Sequence, residues 1–262
     1  MKVMPHVRLS APDWCFYKDV PDPAAYYRRL KSLGIAAVEM VEPSRWEYAR
    51  QAGLPILNQS GPGMTRGLNR VAHHAQLLLE IRALIVEAAA AAIAHVIVFS
   101  GNREGQDDEE GKRNVVAGLK KLAPDAERAG VTLVFEMLCA QDHPDYQADH
   151  SGYGFDVVNA VGSPSVKVLY DLYHMSRMGE DVVQDVVSHR ELIAHLHAAE
   201  SPQRSIPRRD GEIGYGRIVE AISAAGYDGY WGLEFVAQGD VVAELKQAVA
   251  TFSFGVREPA GS

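Results

Sequence analysis

Glu136, Asp171, His197 and Glu234 are separated by 35, 26 and 37 residues, and each closes a short apolar run: VTLVFE at 131–136, VLYD at 168–171, IAHLH at 193–197 and WGLE at 231–234. A buried parallel strand reads as such a run, so each residue is a metal-type side chain at the C-terminal end of a strand. One unit of an eight-unit barrel takes about 31 residues in a chain of about 250. At that spacing the four residues fall on the fifth to eighth strands, all at the same end. Three carboxylates sharing one mouth repel each other, and burying them unpaired is costly. A divalent cation removes that cost. Three carboxylates and one imidazole suit Mn²⁺ or Mg²⁺, with Co²⁺ or Zn²⁺ also fitting. Any one of these acids alone is better explained by a surface Lys or Arg; the common spacing favours a shared site.

Other residues cluster around this set in sequence. His174 follows Asp171 by three residues, either as a loop histidine capping a carbonyl or as a contact to substrate. Glu200 and Arg204 lie in a polar loop over the expected mouth, where Arg204 could hold an anionic or polyhydroxylated substrate or remain a solvated charge. Trp14 and Phe99 sit at the ends of the first and fourth strands and either wall the pocket or fill the barrel. His195 is expected to face the opposite side of its strand from His197. His73 and His74 are adjacent on a helix start, which suits loop anchoring better than joint ligation. The run Asp107–Glu110 reads as a helix start that complements the helix dipole, not as a metal site.

The elements that must carry these residues alternate along the chain. Strands are expected at residues 6–10, 35–41, 54–57, 95–99, 131–136, 168–171, 193–197 and 230–234. Helices are expected at 22–33, 43–52, 71–92, 107–129, 155–161, 181–188, 217–225 and 240–252. Asp22-Pro23 is a helix-start signal. Gly34, Gly53, Gly130 and Gly226 each stand where a helix stops and a strand begins. Alternating signals imply a parallel sheet with helices outside. A doubly wound sheet would show a glycine-rich fingerprint after its first strand, and no glycine follows Ser10 there. Gly61, Gly63, Gly214 and Gly216 read as turns. The fold class is therefore α/β, a (β/α)8 TIM barrel, expected as one domain over 1–262 with a frayed tail at 257–262.

Bulk properties agree. The 262 residues suit one barrel, and 47% are hydrophobic. The net charge of −8 argues against a nucleic-acid partner, since duplex binding needs clustered Lys and Arg. Two scattered cysteines, Cys15 and Cys139, read as reduced thiols of a cytoplasmic protein. The N-terminus shows no signal-peptide core. The most apolar stretch, 84–99, is too short to span a bilayer and contains Glu87 and His95. The expected partner is a small molecule, and exposed helix faces could serve a homo-oligomer, a dimer or tetramer.

Five motifs, FSGNREG (99–105), DHPDY (142–146), LYDLYHM (169–175), AHLHAAE (194–200) and GLEF (232–235), resemble the hydroxypyruvate isomerase-like branch of the xylose isomerase-like TIM barrel superfamily. The resemblance covers nearly the whole chain. It implies a divalent metal on Glu136, Asp171, His197 and Glu234, with Glu136 and Glu234 also moving protons as in related ketose epimerases. Hydroxypyruvate isomerases often carry Gln where this chain has His197, and in this respect the chain is more like the ketose 3-epimerases. The implied chemistry is proton transfer through an enediolate of a small α-hydroxy carbonyl compound, with Trp14, His174, Glu200 and Arg204 around the substrate. An isomerase, a ketose 3-epimerase, a dehydratase or lyase of the same superfamily and a non-catalytic metabolite-binding barrel all remain compatible; the DNA-binding endonuclease branch fits the acidic charge poorly.

Overall fold

The computed structural model describes residues 7–18 and 20–253. His6, at the start of the expected first strand, and the tail at 257–262 lie outside them. Eight strands alternate with ten helices among the described residues: β1 Arg8–Pro12, α1 Asp13–Phe16, α2 Pro23–Ser32, β2 Ala37–Glu39, α3 Trp46–Gln51, β3 Asn58–Ser60, α4 Val71–Ala90, β4 His95–Val98, α5 Asp108–Ala129, β5 Thr132–Glu136, α6 Ser151–Val161, β6 Val166–Asp171, α7 Leu172–Arg177, α8 Val182–His189, β7 Ile193–Ala198, α9 Tyr215–Ala224, β8 Tyr230–Leu233 and α10 Val241–Phe252. All neighbouring strands pair in parallel in the order β2-β1-β8-β7-β6-β5-β4-β3. A parallel bridge between Val38 and Ile56 closes the ring, with Leu57 N–H donating to Val38 O at 2.9 Å. The protein is a (β/α)8 barrel with its core between the strands and the outer helices.

Local chemistry sets the boundaries. Asp22 and Asp107 cap α2 and α5 by accepting from Ala25 N and Glu110 N, as N-cap carboxylates do. Gly130 ends α5 in the left-handed region at φ 67°, where a Cβ would be strained. No helix is long and apolar enough to cross a membrane among the described residues.

Three boundaries differ from the sequence reading. The first strand runs from Arg8 to Pro12, two residues past its expected end, and residues 13–16 form a helical turn. The third strand is Asn58–Ser60, not 54–57: Pro55 has no N–H to donate, and the ladder with β4 begins at Asn58. Residues 172–177, read as loop, are helix α7, because the Asp171 carboxylate accepts from Tyr173 N and His174 N.

Candidate metal centre and active site

The parallel register sets Asp171 beside His197 and His197 beside Gly232, while Glu136 pairs with Leu169. Strands β5 to β8 thus bring Glu136, Asp171, His197 and Glu234 to one place: a donor atom from each lies within 4.8 Å of the others. All four are buried. Tyr146, from the DHPDY stretch, fixes the end of β5 by donating its hydroxyl to Glu136 O at 2.8 Å.

The charges in this cluster are tightly balanced. His197 Nδ1 lies 2.9 Å from Glu234 Oε2 and 3.6 Å from Glu136 Oε1. Arg204 pairs with Glu234 and approaches Asp171 Oδ2 at 3.4 Å. Burial pushes Glu136 up to about 7, against the pull of His197, and also raises Asp171 despite Arg204. Burial acts the same way on Glu234, but His197 and Arg204 outweigh it and hold that carboxyl well below its usual range. For His197, burial favours the neutral ring, while Glu234 and Glu39 outweigh it and raise the imidazole well above its ordinary value.

The residues expected around the substrate divide into two groups. Trp14, His174, Arg204 and Phe99 line a cavity of 520 Å³ together with Glu136 and Glu234. Trp14 is half exposed at the lip and donates its indole N–H to Glu234 Oε1 at 2.9 Å. Arg204 holds a left-handed backbone at φ 53°, uncommon for a non-glycine residue. Its guanidinium lies over the Trp14 and Tyr173 rings at 5.3 and 5.5 Å from their centroids. His174 Nδ1 receives the Cys139 N–H at 3.3 Å, which leaves the ring proton on Nε2, 3.6 Å from Asp171 Oδ2. Burial, reinforced by Arg204, keeps this ring neutral, its pKa well below the usual value.

Glu200 is the exception. Its carboxylate is buried and accepts the backbone N–H groups of Ser201, Arg208 and Ile213 at 3.2, 3.3 and 2.8 Å. It shapes the 200–214 loop that carries Arg204 and does not line the cavity. His73 and His74 anchor the preceding loop through Gly67 O and Leu68 O.

The expectation for His195 is overturned. Its Nε2 lies 3.0 Å from Glu39 Oε2, the same atom that faces His197 Nε2 at 2.9 Å. Side chains two apart on a strand share a face, so His195 points with His197. Glu39 itself was missed by sequence reasoning. It sits inside the run 35–41, whose apolar residues continue past it, so the strand-ending-in-acid pattern did not single it out.

The cluster fits a divalent cation. Three carboxylates and an imidazole are a hard, oxygen-rich donor set. His197 Nδ1, which faces the cluster, is buried without a hydrogen-bond partner, where an unpaired polar atom is costly.

A parallel barrel with carboxylates and an imidazole gathered at its C-terminal mouth has the layout of TIM-barrel enzymes that act there. The chain belongs to the xylose isomerase-like TIM barrel family, whose profile matches residues 27–253. It is 33% identical over 149 residues to a putative hydroxypyruvate isomerase of Streptomyces coelicolor, covering 55% of this chain and 53% of that protein. It is 27% identical over 142 residues to the hydroxypyruvate isomerase of Escherichia coli, covering 54% and 55%. The chain thus spans about half the length of the curated relatives it matches. Among solved structures, a family 2 AP endonuclease from Brucella melitensis superposes with a TM-score of 0.82 at 22% identity, over 91% of this chain and 96% of that one; this likeness shows the fold.

Proposed function

We propose that the chain is a divalent-metal-dependent isomerase of a small α-hydroxy carbonyl compound, of the hydroxypyruvate isomerase type. The observation that carries this reading is the convergence of four donor atoms within 4.8 Å, with two of their residues, Glu136 and Glu234, lining the 520 Å³ cavity. The names of the curated relatives support it. Glu136, Asp171, His197 and Glu234 would hold the ion, Mn²⁺ or Mg²⁺ by the oxygen-rich donor set. When bound, it would supply Lewis acidity toward a substrate carbonyl oxygen.

The rest falls to the chain's own side chains. Glu136 and Glu234, on β5 and after β8, take a proton from the carbon beside the carbonyl and return it. Return to the neighbouring carbon gives isomerisation. The His174 Nε2–H and the Arg204 guanidinium donate to the substrate's oxygens, and Trp14 covers the opening. A second reading, a ketose 3-epimerase, is favoured by the presence of two glutamates, because inversion needs a proton donor opposite the acceptor.

The test is a panel of small ketoacids and ketoses incubated with the protein and Mn²⁺ in D₂O. The expected result is deuterium at the carbon beside the carbonyl of at least one compound. Product structure separates isomer from epimer, and a loss of mass would mark elimination instead. No deuterium uptake across the panel by folded, metal-loaded protein would favour a non-catalytic barrel and overturn the proposal.

A further inference from the structure

Beneath the four-residue cluster lies a second polar layer that the proposed chemistry does not use. Glu39 at the end of β2 receives Ser10 Oγ–H at 2.6 Å on Oε1 and Asn58 Nδ2–H at 2.5 Å on Oε2. His195 Nε2 and His197 Nε2 both face Oε2, at 3.0 and 2.9 Å. The partners come from β1, β3 and β7, and none of these five side chains is more than 1% exposed. The carboxylate has no slack, since a Cβ at Gly232 would collide with Glu39 Oε1 and the His197 ring.

We propose that Glu39 is a positioning residue that orients the His197 ring and holds a hydrogen on Nε2, so that it is Nδ1 that gives up its hydrogen and turns a lone pair to the cluster when an ion binds. This rests on the reading that the cluster holds a divalent ion. The argument concerns which nitrogen carries the hydrogen. Imidazole presents a lone pair at one nitrogen only when the hydrogen resides on the other, and the partner of the second nitrogen decides which. On the Nδ1 side, Glu136 and Glu234 would draw that hydrogen toward themselves and block ligation. On the Nε2 side, Glu39 draws it the other way, with its own orientation fixed by Ser10 and Asn58. Sharing Oε2 with His195 places both rings of β7 on the same acid. An isolated buried carboxylate would be expensive; one held by Ser10, Asn58 and His197, with the His195 ring 3.0 Å away, is a built feature.

The experiment compares wild type with Glu39→Gln by Mn²⁺ titration calorimetry and by nitrogen-15 NMR of the histidine side chains, with circular dichroism confirming the fold. The expected result is Mn²⁺ affinity about 10- to 100-fold weaker, the usual cost of removing such an outer partner. In addition, the slowly exchanging His197 Nε2–H proton, shifted downfield in wild type with or without the ion, should move upfield. Unchanged affinity and an unchanged resonance in folded Glu39→Gln would overturn the proposal. Two ions per wild-type chain with one lost in Glu39→Gln would also overturn it, because Glu39 would then itself be a ligand. If Glu39→Gln does not fold, Ser10→Ala removes one support of the carboxylate and should shift both readouts the same way by a smaller amount; no shift there counts against the proposal. A wild-type chain that takes up no divalent ion overturns the function proposed above, while the Nε2–H resonance still decides whether Glu39 orients the ring.

Discussion

Glu234 receives the Trp14 indole N–H and the Arg204 guanidinium, and lies 2.9 Å from His197 Nδ1. A carboxylate so placed can both bind a cation and move a proton, and the two roles are separable. Glu234→Gln keeps the shape and one ligating oxygen but cannot accept the proton. It should lower kcat by about 10²- to 10⁴-fold, the usual contribution of a general base, while Mn²⁺ binding by calorimetry stays measurable. Near-normal turnover would remove Glu234 from proton transfer. At this scale the sequence was legible where strand ends carried isolated polar residues, as at Glu136, Asp171, His197 and Glu234. It was not legible at Glu39, Ser10 and Asn58, whose roles depend on which strands become neighbours across the barrel. Glu200 read as a cavity residue because loop position says nothing about which N–H groups turn inward to meet a carboxylate.

Asp171 joins element to site: Oδ1 caps α7 while Oδ2 faces Arg204 and the cluster. Two substitutions divide these duties. Asp171→Asn can still cap and should fold with little loss, but Mn²⁺ binding should fall sharply. Asp171→Ala should lose about 1 kcal/mol more, the typical cost of removing an N-cap, measured by urea denaturation. A titrating group on β4 gives a second test. Burial, aided by His195, lowers His95 to about 4, below its unfolded value near 6.5. Between pH 6.5 and 4 the unfolded chain therefore binds the extra proton, and stability is lost as pH falls through that window. The loss should be on the order of 2 kcal/mol after discounting for partial exposure, and His95→Gln should flatten it in urea melts at stepped pH. Helix ends were readable at Asp22, Asp107 and Gly130 because capping is local chemistry. Strand β3 was not, because its ladder residues, Asn58–Ser60, are polar and the apolar residues before them only approach the wall.

At the scale of the molecule, the cluster concentrates buried carboxylates at one mouth, so the proposed ion binding would be coupled to folding. Mn²⁺ at a hundredfold excess over its Kd should add about 2.7 kcal/mol. For a chain of this size that is a rise of about 5–10 °C in Tm, reversed by EDTA; an unchanged Tm would contradict a bound divalent ion. Chain length and the count of eight alternating units made the barrel readable from sequence, because few architectures use that much chain so regularly. How the ring closes was not readable. The other neighbouring strands share ladders of three or four residue pairs, whereas β2 and β3 have one bridge, Val38 with Ile56, and three backbone hydrogen bonds around it, Val38 N to Pro55 O, Leu57 N to Val38 O and Met40 N to Asn58 O. The wall therefore has a seam, and thermal breathing should start there: in hydrogen–deuterium exchange the Val38 and Leu57 amides should open before those of β5 to β7. Glu39 and Asn58 stand on opposite lips of that seam, so their contact is also the stitch that would limit how far it gapes.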